Sequence, residues 1–202
     1  MSDRGAVERA AASVLERHPQ IDVLVNSAGV PGRRSFLELE PERVEQVLRT
    51  NYLGGLWCLR AFLPGLGSGS HVVNVVSVAG TVAFPPSGPY SASKHAQLAF
   101  SRATAAELPG RGIHVLTVLP GFVETPGFPQ RAALSSRFFR RAVIEPEVVA
   151  DRVARALQSR KRELFVPRWY RGFALLQAFA PGVVGRLAAR QSYRRRSGAA
   201  SG

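Results

Sequence analysis

The chain alternates between stretches with an apolar residue every three or four positions and short runs that are apolar almost throughout. The first pattern marks amphipathic helices, and the second marks strands covered on both faces. Residues 3–17 put Val7, Ala10, Ala11, Val14 and Leu15 on one helical face. The run Ile21-Asp22-Val23-Leu24-Val25 then predicts a short strand buried on both sides. A long helix is predicted over 41–63, with Pro41 suited to its first turn. His71-Val72-Val73-Asn74-Val75-Val76 reads as a second strand. Residues 88–108 read as a helix stopped by Pro109-Gly110, and 113–119 as a strand ended by Pro120-Gly121. An irregular, arginine-rich stretch covers 122–145, followed by a helix over 147–158 and a last strand over 163–166. Such alternation predicts an α/β class, a doubly wound parallel sheet with helices on both faces.

Gly65, Gly67 and Gly69 follow a helix and precede a strand. A phosphate-binding loop needs the opposite order, strand then helix N-terminus, so these glycines are read as a plain connection.

Composition narrows the picture in two ways. The single cysteine, Cys58, leaves no internal disulfide and no cysteine-built metal site, which suits a reducing cytoplasm. His18, His71, His95 and His114 are scattered without ligand spacing, so no metal is assigned. The net charge is +13, and seven of those charges fall at or beyond Arg168, where no acidic residue occurs. Arginine outnumbers lysine 25 to 2 along the entire chain, a compositional bias rather than a nucleic-acid footprint. Residues 1–20 lack the basic-then-apolar layout of a signal peptide, and no apolar run is long enough to cross a bilayer.

The candidate chemistry lies in Tyr90-Ser91-Ala92-Ser93-Lys94, which puts a phenol and an ammonium four apart on one helical face. A phenol ionises near pH ~10, and a neighbouring cation lowers that value into the range of a general acid or base. Alone, the pair is also what an exposed helix produces by chance. Its surroundings carry more weight. Asn26-Ser27-Ala28-Gly29, Ser77 and Pro120-Gly121-Phe122-Val123-Glu124-Thr125 close three successive strands, at the sheet edge where α/β folds display ligand-binding groups.

In these motifs, and across roughly residues 3–167, the sequence resembles the short-chain dehydrogenase/reductase family, with its Rossmann-like fold. The family's Asn-Asn-Ala-Gly appears as Asn26-Ser27-Ala28-Gly29, with serine replacing the second asparagine. Its helix asparagine matches Asn51, its serine Ser77, its Tyr-x-x-x-Lys Tyr90 and Lys94, and its Pro-Gly-x-Val-x-Thr residues 120–125. The resemblance implies an NAD- or NADP-dependent oxidoreductase acting on a small alcohol or carbonyl substrate. Tyr90 is the implied acid and base, Ser77 holds the substrate oxygen, and Lys94 binds ribose hydroxyls and lowers the Tyr90 pKa. Asn51 is implied to hold a water that links Lys94 to solvent. Asn26, Ala28 and Gly29 are expected along the adenosine-side ribose. Pro120, Gly121, Val123 and Thr125 are expected on the nicotinamide side.

The family's opening strand, glycine-rich turn and helix have no counterpart in the sequence, and Met1-Ser2-Asp3-Arg4 resembles the point just after its third strand. The expectation is therefore a partial domain over 1–167, from a fragment or from a start assigned too late. Its first strand would then offer an unpaired edge. The residues that choose between NAD and NADP belong to the same missing part. Residues 168–202 are expected to form a basic amphipathic helical tail ending in disorder. The tail is open to a peripheral membrane role and suits a hydrophobic substrate. Alanines 92, 96, 99 and 103 on the Tyr90 helix would permit close packing of a second copy, as in the family. The rival reading is a non-catalytic interaction or membrane-surface protein on a truncated scaffold of this kind.

Overall fold

A computed structural model describes residues 1–128 and 143–186. Helix α1 (Arg4–Arg17) starts where Asp3 caps it, its carboxylate accepting from the Ala6 amide at 2.6 Å. Strand β1 (Val23–Asn26) follows. Helices α2 (Pro41–Leu48) and α3 (Gly54–Phe62) are joined by one wide π-helical turn over Arg49–Leu53. Strand β2 (His71–Val75), helix α4 (Gly88–Glu107) and strand β3 (His114–Pro120) complete the centre. A two-stranded ribbon pairs β4 (Phe122–Val123) with β5 (Val143–Ile144). Helix α5 (Pro146–Gln158), strand β6 (Glu163–Val166) and helix α6 (Tyr170–Phe179) follow.

The main sheet is parallel throughout, in the order β1-β2-β3-β6. One face packs Val72, Ile113 and Val115 against Leu59 of α3 and Phe100 of α4. The other packs Val73, Leu116 and Val118 against Val149, Val153 and Leu157 of α5. The predicted α/β class with helices on both faces is what the chain forms, and the last strand has the predicted bounds.

Two expectations need correction. The helix predicted over 41–63 is interrupted by the π turn, which inserts an extra residue at Asn51. The first strand is not buried on both sides: Val23 and Val25 are 43% and 53% exposed. Val25 is in register with Val73, so both point to the α5 face. That helix covers β3 and β6, and among the described residues no helix lies over β1 on that face.

Candidate active site

Three strand ends and the first turns of α4 build the site. The strand β2 runs out at Val75, and Ser77 then turns the chain, its hydroxyl accepting from the Ala79 amide at 3.1 Å. The same hydroxyl lies 3.5 Å from the carbonyl of Pro120, at the end of the neighbouring strand. Helix α4 has proline in its first turn, where a missing N–H costs nothing. That turn presents Tyr90, and the next presents Lys94.

The Ser77 loop and α4 meet almost backbone to backbone at Gly80. A Cβ built on Gly80 would stand 2.7 Å from the carbonyl oxygen of Lys94. Only glycine admits that approach. This contact, absent from the motifs read in the sequence, brings Ser77 within hydrogen-bonding reach of Tyr90.

Lys94 is 3% exposed, and its ammonium donates to the carbonyl of Val75 at 3.2 Å and to Oε1 of Gln97 at 2.7 Å. Neither partner is charged, so burial drives the lysine down to about 7. Tyr90 moves the other way. Burial pushes its phenol up to about 12, against a smaller pull downward from hydrogen bonding with Ser77. The expected lowering of Tyr90 by Lys94 is thus not seen in the free chain. The ammonium lies over the Tyr90 ring, 5.7 Å from its centroid. Desolvation of both groups outweighs their attraction.

Asn51 is 1% exposed at the centre of the π turn, and its amide is fully engaged. The side-chain oxygen accepts from the Val30 amide at 2.8 Å. The side-chain nitrogen donates to the Val30 carbonyl at 3.1 Å and to Ser93 Oγ at 3.0 Å. The Asn51 side chain ties the loop after β1 to α4. Gly29 lies beside it: a Cβ there would be 3.5 Å from Asn51 Oδ1 and 3.8 Å from Lys94 Nζ. These are ordinary contact distances, so glycine leaves room next to the ammonium rather than avoiding a clash.

Asn26 is buried at the end of β1. Its amide donates to Asn74 Oδ1 at 2.9 Å inside the sheet, and Asn74 donates to Ser101 Oγ at 2.9 Å. Ser101 lies 2.7 Å from Thr117 Oγ1. Asn26, Asn74, Thr117 and Glu163 occupy one register row across all four strands. Glu163 closes the row with Arg102 of α4 at 2.7 Å. The row fastens α4 to the sheet through polar groups. Polar residues inside apolar strands were its only signal in the sequence.

The nicotinamide-side residues are more dispersed. Thr125 turns inward on its own loop, its hydroxyl accepting from the Phe128 amide at 3.1 Å. Val123 belongs to the short ribbon with Ile144. Gly121 is covered by Tyr170, whose ring occupies the space an added Cβ would need. An open apolar hollow of about 520 Å³, lined by residues including Phe36, Leu37, Phe84 and His95, borders the start of α4. None of Ser77, Tyr90 or Lys94 lines it.

Comparison with known proteins now bears on the reading. The family model described as short chain dehydrogenase matches residues 1–133, about two thirds of the chain. The chain belongs to that family. Among its relatives, the dehydrogenase/reductase SDR family member 7B of Danio rerio is 39% identical over 128 residues. That match covers 62% of this chain and 41% of the relative. The 2-(R)-hydroxypropyl-CoM dehydrogenase of Xanthobacter autotrophicus is 39% identical over 132 residues, 62% of this chain and 52% of the relative. This short chain dehydrogenase thus spans about half the length of these curated relatives. The crystal structure of a short chain dehydrogenase from Burkholderia cenocepacia, in complex with NADP, superposes with a TM-score of 0.75 at 31% identity. That superposition covers 94% of this chain and 74% of the other.

Proposed function

We propose that this chain carries the catalytic portion of an NAD(P)-dependent oxidoreductase that interconverts an alcohol and a ketone or aldehyde, with Tyr90 as general acid and base. The observation that carries the reading is the convergence of the buried Ser77 and Lys94 with the half-buried Tyr90 at the strand ends. NAD or NADP, when bound, supplies the hydride acceptor or donor. The residues present suit such a group. Lys94 makes two hydrogen bonds with its three N–H donors, and Gly29 lies beside its ammonium.

In this reading Tyr90 passes a proton to the substrate oxygen during reduction and takes it back during oxidation. Ser77 donates to the same oxygen, since its bond to Pro120 is long and readily exchanged. In the free chain Lys94 does not lower Tyr90, and the phenolate comes within reach only as a charged pair with the ammonium. A buried cation and a buried phenolate are each unfavourable alone but stabilise one another as a pair. Lys94, Ala28 and Gly29 would line the ribose side, and Pro120, Gly121, Val123 and Thr125 the nicotinamide side. Asn26 and Asn51 are assigned to the scaffold, Asn26 through the sheet and Asn51 through the loop–helix tie. A hydrophobic substrate suits the aromatic neighbourhood, with Phe128 5.6 Å from the Tyr90 ring. Residues 1–167 form the oxidoreductase part and 168–202 a basic appendage. Ala92, Ala99 and Ala103, exposed on α4, offer a docking face for a second copy.

The test is a titration with NADH and NADPH, followed by energy transfer from Trp57 and Trp169, then turnover of alcohols and ketones with a Tyr90→Phe control. Saturable binding with turnover reduced about 10²–10⁴-fold in the variant is expected. Failure of the folded 202-residue chain to bind either nucleotide, or full turnover by the variant, would overturn the reading.

A further inference from the structure

Helix α6 is built inside out. Its inward face carries Tyr170, Ala174 and Gln177, of which only Tyr170 is fully buried. Its outward face carries Trp169 just before it, then Phe173, Leu176 and Phe179, with Val183 one turn beyond the break at Pro181-Gly182. These side chains are 51%, 50%, 39%, 86% and 42% exposed in that order. Trp169, Phe173, Leu176 and Phe179, spaced four, three and three apart, make one helical stripe, and Val183 adds an exposed apolar side chain on the segment beyond the break. A stripe of this kind ordinarily faces a core, and scattered single exposures would need no comment.

The stripe is also rigidly mounted. Trp169 stacks on Tyr170 at 4.0 Å with 20° between planes, and Tyr170 is wedged onto Gly121. The helix cannot readily roll its apolar side inward without pulling Tyr170 out of that seat. Within the segment that carries the stripe every charge is positive: Arg168, Arg171 and Arg186 are the described ones, and no acidic residue occurs from Arg168 to the end of the sequence. This arrangement disfavours a second copy as the covering partner, because a two-fold contact would set these arginines against their own equivalents. It favours a surface that is apolar below and anionic above.

We infer that α6 is a membrane-docking helix that lies in the interface of an anionic lipid bilayer, with Trp169, Phe173, Leu176, Phe179 and Val183 in the acyl boundary. Arg168, Arg171 and Arg186 then bind lipid phosphates, for which the guanidinium fork is well shaped. The helix lies on the bilayer and does not cross it, since among the described residues no helix is long and apolar enough to span. The inference does not depend on the enzymatic reading. It has one consequence for it: Tyr170 anchors the docked helix on the strand that ends at Pro120, so the bilayer would sit beside the site.

The experiment is co-sedimentation of the full chain with vesicles of phosphatidylcholine alone and of phosphatidylcholine with phosphatidylglycerol. Trp169 emission is followed in parallel, with Trp169→Phe to subtract Trp57. Binding to the anionic vesicles with a blue shift of Trp169 is expected. The charge-neutral Phe173→Ser/Phe179→Ser variant should bind them about tenfold more weakly, and Phe179→Ser alone, at the most exposed position, should show a smaller loss in the same direction. Unchanged binding by both variants would mean that bulk positive charge alone attracts the protein, and would overturn the inference. So would equal binding to pure phosphatidylcholine, or no binding by a folded chain. A dimer that dissociates on Phe173→Ser/Phe179→Ser without vesicle binding would overturn it in favour of a second copy.

Discussion

Helices α4 and α6 invert the usual distribution of residues in opposite ways. Helix α4 buries Ser93, Lys94, Gln97 and Ser101 and leaves alanines outside, whereas α6 shows aromatic and aliphatic side chains to the outside and keeps Gln177 on its inner face. Buried polar groups survive only when each finds a partner, and those of α4 do: Ser93 with Asn51, Lys94 with Gln97, Ser101 with Asn74 and Thr117. Exposed apolar groups need no partner to fold, and only a ligand or surface gives them a purpose. A helix that departs from the pattern inward is therefore fixed by its neighbours in the chain. One that departs outward is defined by what it meets.

That contrast makes α4 intolerant and α6 tolerant of substitution. The severest expected effect is Asn74→Ala, which strands the buried Asn26 amide and leaves Ser101 with Thr117 alone. It should cost about 3 kcal/mol in a denaturant melt, and a loss below ~1 kcal/mol would mean the polar row is not what holds α4. Gly80→Ala comes next. Its new methyl meets the Lys94 carbonyl, so the loop and helix must part, costing about 2 kcal/mol or roughly 4–8 °C in Tm. Turnover should fall further than stability, because Ser77 and Tyr90 separate.

Smaller and more diagnostic is the pH dependence due to Lys94. Its value drops from 10.5 to about 7 in the folded chain, so between those limits only the unfolded chain holds the proton. Stability contributed by this residue therefore rises as pH climbs from about 7, and Tyr90, raised to about 12, begins to favour the folded chain less as unfolded phenols ionise above 10. Lys94→Met should flatten the rise measured by melts from pH 7 to 10, and an unchanged slope would assign it to another group. The smallest effect is expected on α6. Phe179→Ser should alter stability by no more than about 0.5 kcal/mol, and a larger loss would mean that something in the chain covers this side chain.

The sequence was most legible where local chemistry and tertiary context agree. The strand at 163–166 and the helix ended by Pro109-Gly110 lie close to their predicted bounds, because proline, glycine and β-branched residues act over a few neighbours. The motifs around Asn26, Ser77 and Thr125 were readable as strand ends, and Tyr90 and Lys94 as one helical face. Their detailed contacts were not. Which way Asn26 points depends on a register partner 48 residues away, and whether Lys94 lowers Tyr90 depends on how much water reaches both. Gly80 illustrates the limit: in the sequence it is one small residue after Ser77, and only the packed helix shows why no other fits. The π turn at Asn51 gave no periodic warning, since one inserted residue barely disturbs an apolar repeat.

The row Asn26–Asn74–Thr117–Glu163 also works as a set of alignment marks for the growing sheet. Apolar strands of Val and Leu are nearly interchangeable along their length, so oily contact alone leaves them free to slide. Shifting β1 by a single residue would carry the Asn26 amide to the opposite face and set a valine against Asn74. Each strand thus places a hydrophilic notch in this row, and the row forms in a single arrangement. The same polar groups that fasten α4 therefore also tell a folding chain when its strands are in step.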